Sequence, residues 1–171
     1  QELGIIFVVF VADGQHPAEE LPKLLEPIRT RQADMVLGSR YLAKDHSYPC
    51  PRIKRLGQHL FAGILRLFTG IHFTDPTTGF QALNRRALRL FASGAFPCDY
   101  PDADVILMAH LCGLRIREVA TRMIPRPGGH SMHSGLKPVY YGMKMLLSIF
   151  VVLLNYPLWR KWGNKPDGES S

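Results

Sequence analysis

Residues 5–11 form an unbroken run of β-branched and aromatic side chains, and this run constrains the fold more than any other part of the chain. Such a run is typical of a strand that is buried on both faces of a sheet. A turn with the sequence Ala-Asp-Gly-Gln-His-Pro follows, and residues 18–30 then carry leucine and isoleucine at helical spacing. A second short strand is predicted at residues 34–38 and completes a strand, helix and strand unit whose two strands should be parallel. This pattern predicts an α/β fold with a mostly parallel sheet flanked by helices.

The length and composition are those of one folded domain. The chain has 171 residues, of which 46% are hydrophobic and 20% are charged, values that are ordinary for a globular protein with a core. The first strand begins within a few residues of Gln1, although strands of this type usually lie inside a sheet. We therefore expect the domain to be truncated at its N-terminus.

Charge and cysteine content limit the partners and the compartment. The formal net charge of +7 favours an anionic partner, such as nucleic acid, a phosphorylated substrate or an anionic membrane leaflet. The basic residues are spread over several predicted elements without a recognised nucleic-acid-binding motif, so nucleic acid is not predicted as a partner. The three cysteines include no C-x-x-C pair, which indicates neither a disulfide framework nor a zinc site and favours a reducing, cytosolic compartment.

The middle of the chain continues the alternation of helices and strands. A loop at residues 41–51 precedes an amphipathic helix predicted at residues 52–68. A turn-rich segment at residues 74–80 leads into a helix predicted at residues 81–91. A further helix at residues 103–112 is followed by a strand at residues 114–122. The basic side of the first of these helices carries Arg52, Lys54, Arg55 and Arg66.

The C-terminal region has the composition of a membrane-interface helix. Residues 145–154 are apolar nearly all round, and Tyr156, Trp159 and Trp162 follow them with cationic residues between. This run is shorter than the roughly 20 apolar residues that a spanning helix needs. A helix in the interface, with aromatic and cationic side chains at headgroup level, is therefore predicted for residues 138–162. A helix buried in the protein core is the alternative, and residues 163–171 are predicted to be a disordered tail.

Two polar groups follow the first strand at the edge where α/β sheets bind their ligands. Asp13 offers a carboxylate and Gln15 a neutral oxygen, which together suit Mg²⁺ or Mn²⁺ on a diphosphate. A tight Asp-Gly turn without a ligand is the alternative. Arg52 is a candidate phosphate ligand because a guanidinium can hold two phosphate oxygens at once, although a solvated surface arginine would fit its position as well.

Five segments in order along the chain resemble family 2 glycosyltransferases of the dolichol-phosphate-mannose-synthase type. They are DGQHP at residues 13–17, GSRY at 38–41, DPTTGF at 75–80, DYPDAD at 99–104, and Arg126 with Gly128, Gly129 and Ser131. The resemblance extends from about residue 7 to about residue 154. It implies that residues 1–137 are the acceptor-side part of a GT-A, Rossmann-like domain whose nucleotide-binding N-terminal half is missing.

The resemblance also implies roles for single residues. In that family the first segment holds the metal and the nucleotide diphosphate, which assigns Asp13 and Gln15 to Mg²⁺ or Mn²⁺. Val11 stands where the family has its first aspartate, so weaker metal binding is expected. Asp75 is the implied catalytic residue, as a base or as a group that orients the acceptor. The implied ligands of the donor diphosphate or acceptor phosphate are Ser39, Arg40, Arg126 and Ser131, to which Arg52 is added by its place at the start of the basic helix. The secondary acidic candidates are Asp99, Asp102 and Asp104.

These implications predict a hexosyltransferase that moves a sugar from a nucleotide-sugar donor to a polyprenyl phosphate, dolichyl or undecaprenyl, by inverting direct displacement. The predicted partners are the donor, the lipid acceptor and the membrane surface, and the predicted location is the cytoplasmic face of the membrane, in cell envelope biosynthesis. A lipid phosphate suits this reaction because its second pKa of about 6 leaves it largely dianionic at neutral pH. Two alternatives remain open: a glycosyltransferase with a hydroxyl acceptor, and a non-catalytic membrane-associated remnant.

Overall fold

The computed structural model of the protein describes residues 5–10, 14–42, 52–92, 102–124 and 137–163. Four strands lie in this part of the chain: β1 (Phe7–Val9), β2 (Met35–Ser39), β3 (Gln81–Leu83) and β4 (Ile116–Ala120). The α-helices are α1 (Leu21–Arg29), α2 (Arg52–Thr69), α3 (Arg85–Ala92), α4 (Ala103–Leu111), α5 (Lys137–Leu154) and α6 (Tyr156–Gly163), and a 3₁₀ turn at Ala18–Glu20 leads into α1. The helices predicted around residues 18–30, 52–68 and 103–112 and the strand at residues 34–38 are confirmed.

The four strands form one mixed sheet in the order β1-β3-β2-β4. Strand β3 is antiparallel to both β1 and β2, whereas β2 and β4 are parallel. Strands β1, β2 and β4 therefore run in one direction and β3 alone runs against them. The predicted α/β fold with helices flanking a mixed sheet is confirmed. The expectation of a mostly parallel sheet is confirmed for strand direction, since three of the four described strands run the same way, although the antiparallel β3 lies between β1 and β2 and separates them.

Helices cover both faces of the sheet, because every residue of β2 is buried and its side chains alternate between the two faces. Val36 faces α1, where it packs with Leu24, Ile28 and Ala82. Met35 and Leu37 point to the opposite face and pack into a larger core that receives side chains from α2 to α6. The side chains of Met35, Val36 and Leu37 are thus buried against helices on one face or the other.

Two local predictions are corrected by the sheet. Residues 5–11 were expected to form a strand buried on both faces, but β1 is the edge of the described sheet and Ile5 is 69% exposed. The helix predicted at residues 81–91 begins only at Arg85, because Gln81–Leu83 pair with two strands at once. Asn84 separates strand from helix, since its Oδ1 accepts a hydrogen bond from the backbone N–H of Ala87 at 2.9 Å and caps α3.

An ion pair fixes the edge of the sheet where β2 and β4 begin. Asp34 is buried and accepts hydrogen bonds from Arg115 Nε and Nη2, both at 3.0 Å, and from Asn84 Nδ2 at 2.8 Å. Burial alone would raise the pKa of Asp34, but these bonds outweigh it and hold the pKa below the ordinary value. Asp34 thus connects the starts of two parallel strands with the end of β3.

We predict that Asp34 makes the stability of the fold depend on pH in the acid range. Because its folded pKa lies below the ordinary 3.8, its stabilisation is complete above that pH and is lost as the pH falls through the folded value. Asp34→Asn should lower the free energy of unfolding at pH 7 by on the order of 2 kcal/mol. The difference from the unsubstituted protein should shrink in acid, as measured by urea unfolding at several pH values. The exposed substitution Glu26→Gln is the control, and a difference that does not change with pH would contradict the prediction.

Candidate active site

The candidate site lies at the edge of the sheet where β1, β2 and β4 end and β3 begins. Val9 and Leu37 both pair with Gln81, and Ser39 pairs with Ala120. The segment that precedes β3, residues 74–80, therefore meets the segments that follow β1 and β2. This edge is where α/β sheets bind ligands.

Arg40 and Asp75 form a buried ion pair at this edge. Arg40 Nε donates to Asp75 Oδ2 at 2.6 Å and Arg40 Nη2 donates to Oδ1 at 2.7 Å, which is the two-pronged geometry of an arginine and a carboxylate. The backbone N–H of Arg40 also points at Asp75 Oδ2, at 3.2 Å. Asp75 is 0% exposed and Arg40 is 8% exposed. The carboxylate therefore fixes the orientation of the guanidinium out of contact with bulk water.

Neighbouring residues complete the surroundings of this pair. Gln58, on the buried face of α2, donates from Nε2 to Asp75 Oδ1 at 3.4 Å. The centroid of the Tyr41 ring lies 5.5 Å from Arg40 Cζ, so an aromatic face adjoins the cation. Helix α2 and the end of β2 thus both contact the pair.

A short turn carries Asp75 to its position. The backbone N–H of Thr78 donates to the Asp75 carbonyl at 3.3 Å, and the Thr78 hydroxyl donates to the Gly38 carbonyl at 2.6 Å. Gly38 itself lies against Phe80 and Thr121 with no room for a side chain. The DPTTGF and GSRY segments are therefore packed directly on each other.

Glu118, on β4, holds the start of the same turn. Its carboxylate accepts the backbone N–H of Asp75 at 2.7 Å, the backbone N–H of Thr74 at 2.8 Å and the Thr74 hydroxyl at 2.9 Å. Burial raises the pKa of Glu118, and the nearby charge of Asp75 raises it further, while the hydrogen bonds from Thr74 and Asp75 act in the opposite direction. The backbone at Thr74–Asp75 thus carries one carboxylate, that of Asp75, and is held by a second, that of Glu118.

The segment that follows β4 contacts the segment that follows β1 at the same edge of the sheet. The backbone N–H of Ile124 donates to the Gln15 carbonyl at 3.0 Å, and the His16 ring stacks on Phe80 with 4.7 Å between the ring centroids. The chain from β4 therefore crosses the edge of the sheet to reach the segment after β1. It arrives beside Gln15 two residues before Arg126.

The sequence of this region matches a known family. Residues 4–91, just over half of the chain, match the family described as Glycosyl transferase family 2, and this span contains the Gln15, Arg40 and Asp75 segments. The chain belongs to glycosyl transferase family 2. The predicted family is thereby confirmed, and the mixed sheet flanked by helices agrees with a partial GT-A fold.

Individual family 2 relatives are similar over much of the chain. An undecaprenyl-phosphate mannosyltransferase from Micrococcus luteus is 34% identical over 76% of this chain and 54% of its own length. A UDP-N-acetylglucosamine–dolichyl-phosphate N-acetylglucosaminyltransferase from Methanococcus voltae is 28% identical over 85% of this chain and 60% of its own length. A dolichol-phosphate mannosyltransferase from Pyrococcus furiosus is 36% identical over 50% of this chain and 24% of its own length. The chain spans little more than half the length of the first two.

The structure brings together part of the predicted site. Arg40 and Asp75 are in direct contact, and Gln15 lies at the same edge of the sheet. Arg52 begins α2, but its side chain lies outside the described residues. Four predicted site residues also lie outside the described residues, so their roles stay predictions: Asp13, Asp99, Arg126 and Ser131.

Two of the predicted site residues make contacts of a structural kind, and a third precedes helix α4. Ser39 is buried, and its hydroxyl contacts the Thr74 hydroxyl at 2.6 Å and accepts the backbone N–H groups of Tyr41 and Leu42. Asp104 is buried and accepts a hydrogen bond from the Ser148 hydroxyl, which ties α4 to α5. Asp102 is the N-cap residue of α4 but makes no capping bond with its side chain. The contacts of Ser39 and Asp104 are those of structural residues.

The sequence reasoning missed Glu118 and Gln58. Glu118 lies two residues after the buried Ile116 and therefore on the same face of β4, so a charged residue at a core-facing position of a strand was the available signal. Gln58 is similarly a polar residue on the apolar inner face of α2, one turn before Phe61 and two turns before Leu65. Both exceptions to the apolar pattern mark side chains that point at the Thr74–Asp75 segment.

We predict that replacing Gly38 even with alanine lowers the free energy of unfolding. An added Cβ would lie 2.9 Å from Thr121 Oγ1 and 3.0 Å from Phe80 Cδ1, so the two site segments would have to move apart. Gly38→Ala should cost about 1–3 kcal/mol in the free energy of unfolding.

The matched control is Gly63→Ala, in α2, where an added Cβ meets nothing within 4 Å. That variant should gain about 0.5–1 kcal/mol, because alanine is the better helix former. Urea unfolding of both variants checks the pair, and equal stabilities would refute the close packing at Gly38.

Proposed function

We propose that this chain is the acceptor-side part of a glycosyltransferase that moves a sugar from a nucleotide-sugar donor to a polyprenyl phosphate at a membrane surface. The acceptor class is suggested by the relatives, which are named for undecaprenyl, dolichyl or dolichol phosphate. In the proposed reaction a phosphate oxygen forms a bond to the anomeric carbon while the bond to the nucleotide diphosphate breaks on the opposite side. The configuration at that carbon is inverted.

The burial of Asp75 and its pairing with Arg40 are the observations that support a phosphate acceptor. A hydroxyl acceptor must give up a proton, so it needs a base beside it. Asp75 is the residue implied for that role, yet its carboxylate is 0% exposed and accepts both prongs of Arg40. A phosphate monoester is already largely dianionic at neutral pH, because its second pKa is about 6. The paired carboxylate therefore supports a reaction in which Asp75 orients Arg40 and removes no proton.

Donor binding is assigned to the turn after β1, where Gln15 and Asp13 are the proposed ligands of Mg²⁺ or Mn²⁺. Within the described parts of the chain, no group of three or more His, Cys, Asp or Glu side chains comes together, but Mg²⁺ on a diphosphate usually takes only one or two carboxylates from the protein. The metal-binding part of the proposal therefore depends on Asp13, which lies outside the described residues.

Membrane docking is proposed for the outer faces of α2 and α5. Helix α5 buries Ile149 and Val152 against the core but exposes Leu147 and Phe150, and Leu147 is 63% exposed. Helix α2 likewise exposes a row of leucines on the side away from the sheet, of which Leu67 is 78% exposed. Contiguous apolar faces of this kind on a protein surface usually bind a partner or a membrane.

Charge favours an anionic leaflet as that partner. No Asp or Glu occurs in residues 46–74 or 119–166, which contain α2, α5 and α6. The charged side chains on the described surfaces of these helices, Arg55, Arg66, Lys144, Arg160 and Lys161, are all basic. A cationic, apolar face matches an anionic bilayer surface, and we place it at the cytoplasmic leaflet. Among the described residues, no helix has both the length and the apolar character needed to cross a membrane.

We predict that the complete polypeptide transfers sugar to a short polyprenyl phosphate. A panel of radiolabelled nucleotide sugars is offered with the lipid phosphate, with the corresponding polyprenol and with soluble sugar hydroxyls. Product should form on the phosphate and not on the alcohols. Arg40→Lys is the control, because it keeps the charge but loses the two-pronged contact with Asp75. Transfer to the alcohols alone would refute the proposal that the acceptor is a phosphate. Absence of transfer from every donor would refute the proposed glycosyltransferase activity.

We also predict binding to vesicles of phosphatidylcholine mixed with phosphatidylglycerol, and weaker binding to phosphatidylcholine alone. Replacing Leu147 and Phe150 with serine should weaken binding by on the order of tenfold or more, because exposed apolar area is lost from the interface. The control replaces Ile5, an exposed apolar residue ahead of β1, with serine. Flotation measures the bound fraction, and equal binding by both variants would contradict docking through α5.

A further inference from the structure

Glu118 is connected by hydrogen bonds to both sides of the Arg40–Asp75 pair. Its carboxylate accepts the backbone N–H groups of Thr74 and Asp75, and so fixes the segment that carries the Asp75 carboxylate. It also accepts the Thr74 hydroxyl at 2.9 Å. The Thr74 hydroxyl has only one proton to donate, and it donates that proton in the hydrogen bond to Glu118.

That assignment fixes the direction of the next hydrogen bond. The Ser39 and Thr74 hydroxyl oxygens are 2.6 Å apart, and either could donate. Since Thr74 donates to Glu118, Ser39 must donate to Thr74. The Ser39 oxygen then accepts the backbone N–H groups of Tyr41 and Leu42, each at 3.1 Å. One carboxylate on β4 thus orders hydroxyl and amide groups as far as the backbone just after Arg40.

We propose that Glu118 is a positioning residue that holds the Thr74–Asp75 segment and, through Thr74 and Ser39, the segment after Arg40, so that the guanidinium and the carboxylate keep one relative orientation. The kinetic part of this inference rests on the proposed glycosyltransferase function. Glu118 acts through Asp75 and Ser39, and no contact with a substrate is assigned to it.

The electrostatics favour positioning over stability alone. A second carboxylate beside the buried Asp75 carries an energetic cost, and burial raises the pKa of Glu118 accordingly. The two amides and one hydroxyl could have been satisfied by neutral oxygens, as they are in many turns. Glu118 instead takes all three donors from one side with the two oxygens of a single carboxylate.

The test compares Glu118→Gln with Glu26→Gln in the complete polypeptide. Both variants replace a carboxylate with an amide of the same size, but Glu26 is exposed on α1. Three quantities are measured: hydrogen exchange of the Thr74 and Asp75 amides, and the kcat and the KM of sugar transfer. A third variant, Thr74→Val, removes only the hydroxyl link and leaves both backbone bonds to Glu118.

In Glu118→Gln, exchange of the two amides should speed up and kcat should fall, both by roughly ten- to a hundredfold, the effect of losing hydrogen bonds to a charged group. The KM of the nucleotide sugar should change little, because its proposed ligands lie on the segment after β1. Thr74→Val should lower kcat without exposing the Asp75 amide. Glu26→Gln should leave all three quantities unchanged.

Unchanged exchange of the two amides in Glu118→Gln would overturn the inference. So would a kcat per folded molecule that stays normal while only the melting temperature falls, because Glu118 would then be purely structural. If Glu118→Gln does not fold, Thr74→Val decides, and a normal kcat in that variant overturns the inference. Absence of transfer in the unsubstituted protein would refute the proposed function, whereas amide exchange would still decide whether Glu118 holds the segment.

Discussion

The candidate site depends on one buried ion pair, between Arg40 and Asp75. Taking two charges out of water costs several kcal/mol per ion, and their attraction repays this only when the geometry is good and the remaining polar atoms are bonded. Here the carboxylate accepts Nε, Nη2 and the backbone N–H of Arg40, and Gln58 approaches from α2. Removing one partner would strand the other charge, which typically costs 3–5 kcal/mol. The end of β2, the turn before β3 and the start of α2 are therefore fixed relative to one another.

A second ion pair shows by contrast what is particular about the first. Asp34 and Arg115 connect the starts of β2 and β4, but the Arg115 side chain is 56% exposed and keeps part of its hydration. Arg40 keeps almost none, so its pair with Asp75 contributes little more to stability than apolar side chains of similar volume would. We infer that the buried pair is present because it sets the direction of a guanidinium at the edge of the sheet where ligands are expected. The Asp34 pair needs no explanation beyond its structural role.

The parts of the fold that the sequence predicts are those that depend on local periodicity. Helix α2 and strand β2 follow from the spacing of their apolar residues, and the Arg40 and Asp75 segments follow from family motifs. Strand β3 was missed because three residues are too few for a period, and only its pairing with β1 and β2 distinguishes them from the helix that follows. Glu118 was missed because its partners are the backbone amides of residues more than forty positions away in the sequence. No pattern around Glu118 itself specifies those partners.

The direction of β3 explains how such distant residues meet. In a purely parallel sheet, the residues that follow strands share one edge and those that precede strands share the other. Because β3 runs against β1, β2 and β4, the segment before it lies at the edge where the other three strands end. Asp75, which precedes a strand, can therefore contact Arg40, which follows one, and Glu118 reaches the same segment from β4. A β3 parallel to its neighbours would carry Asp75 to the Asp34 edge, so the antiparallel insertion, more than any single side chain, assembles the candidate site.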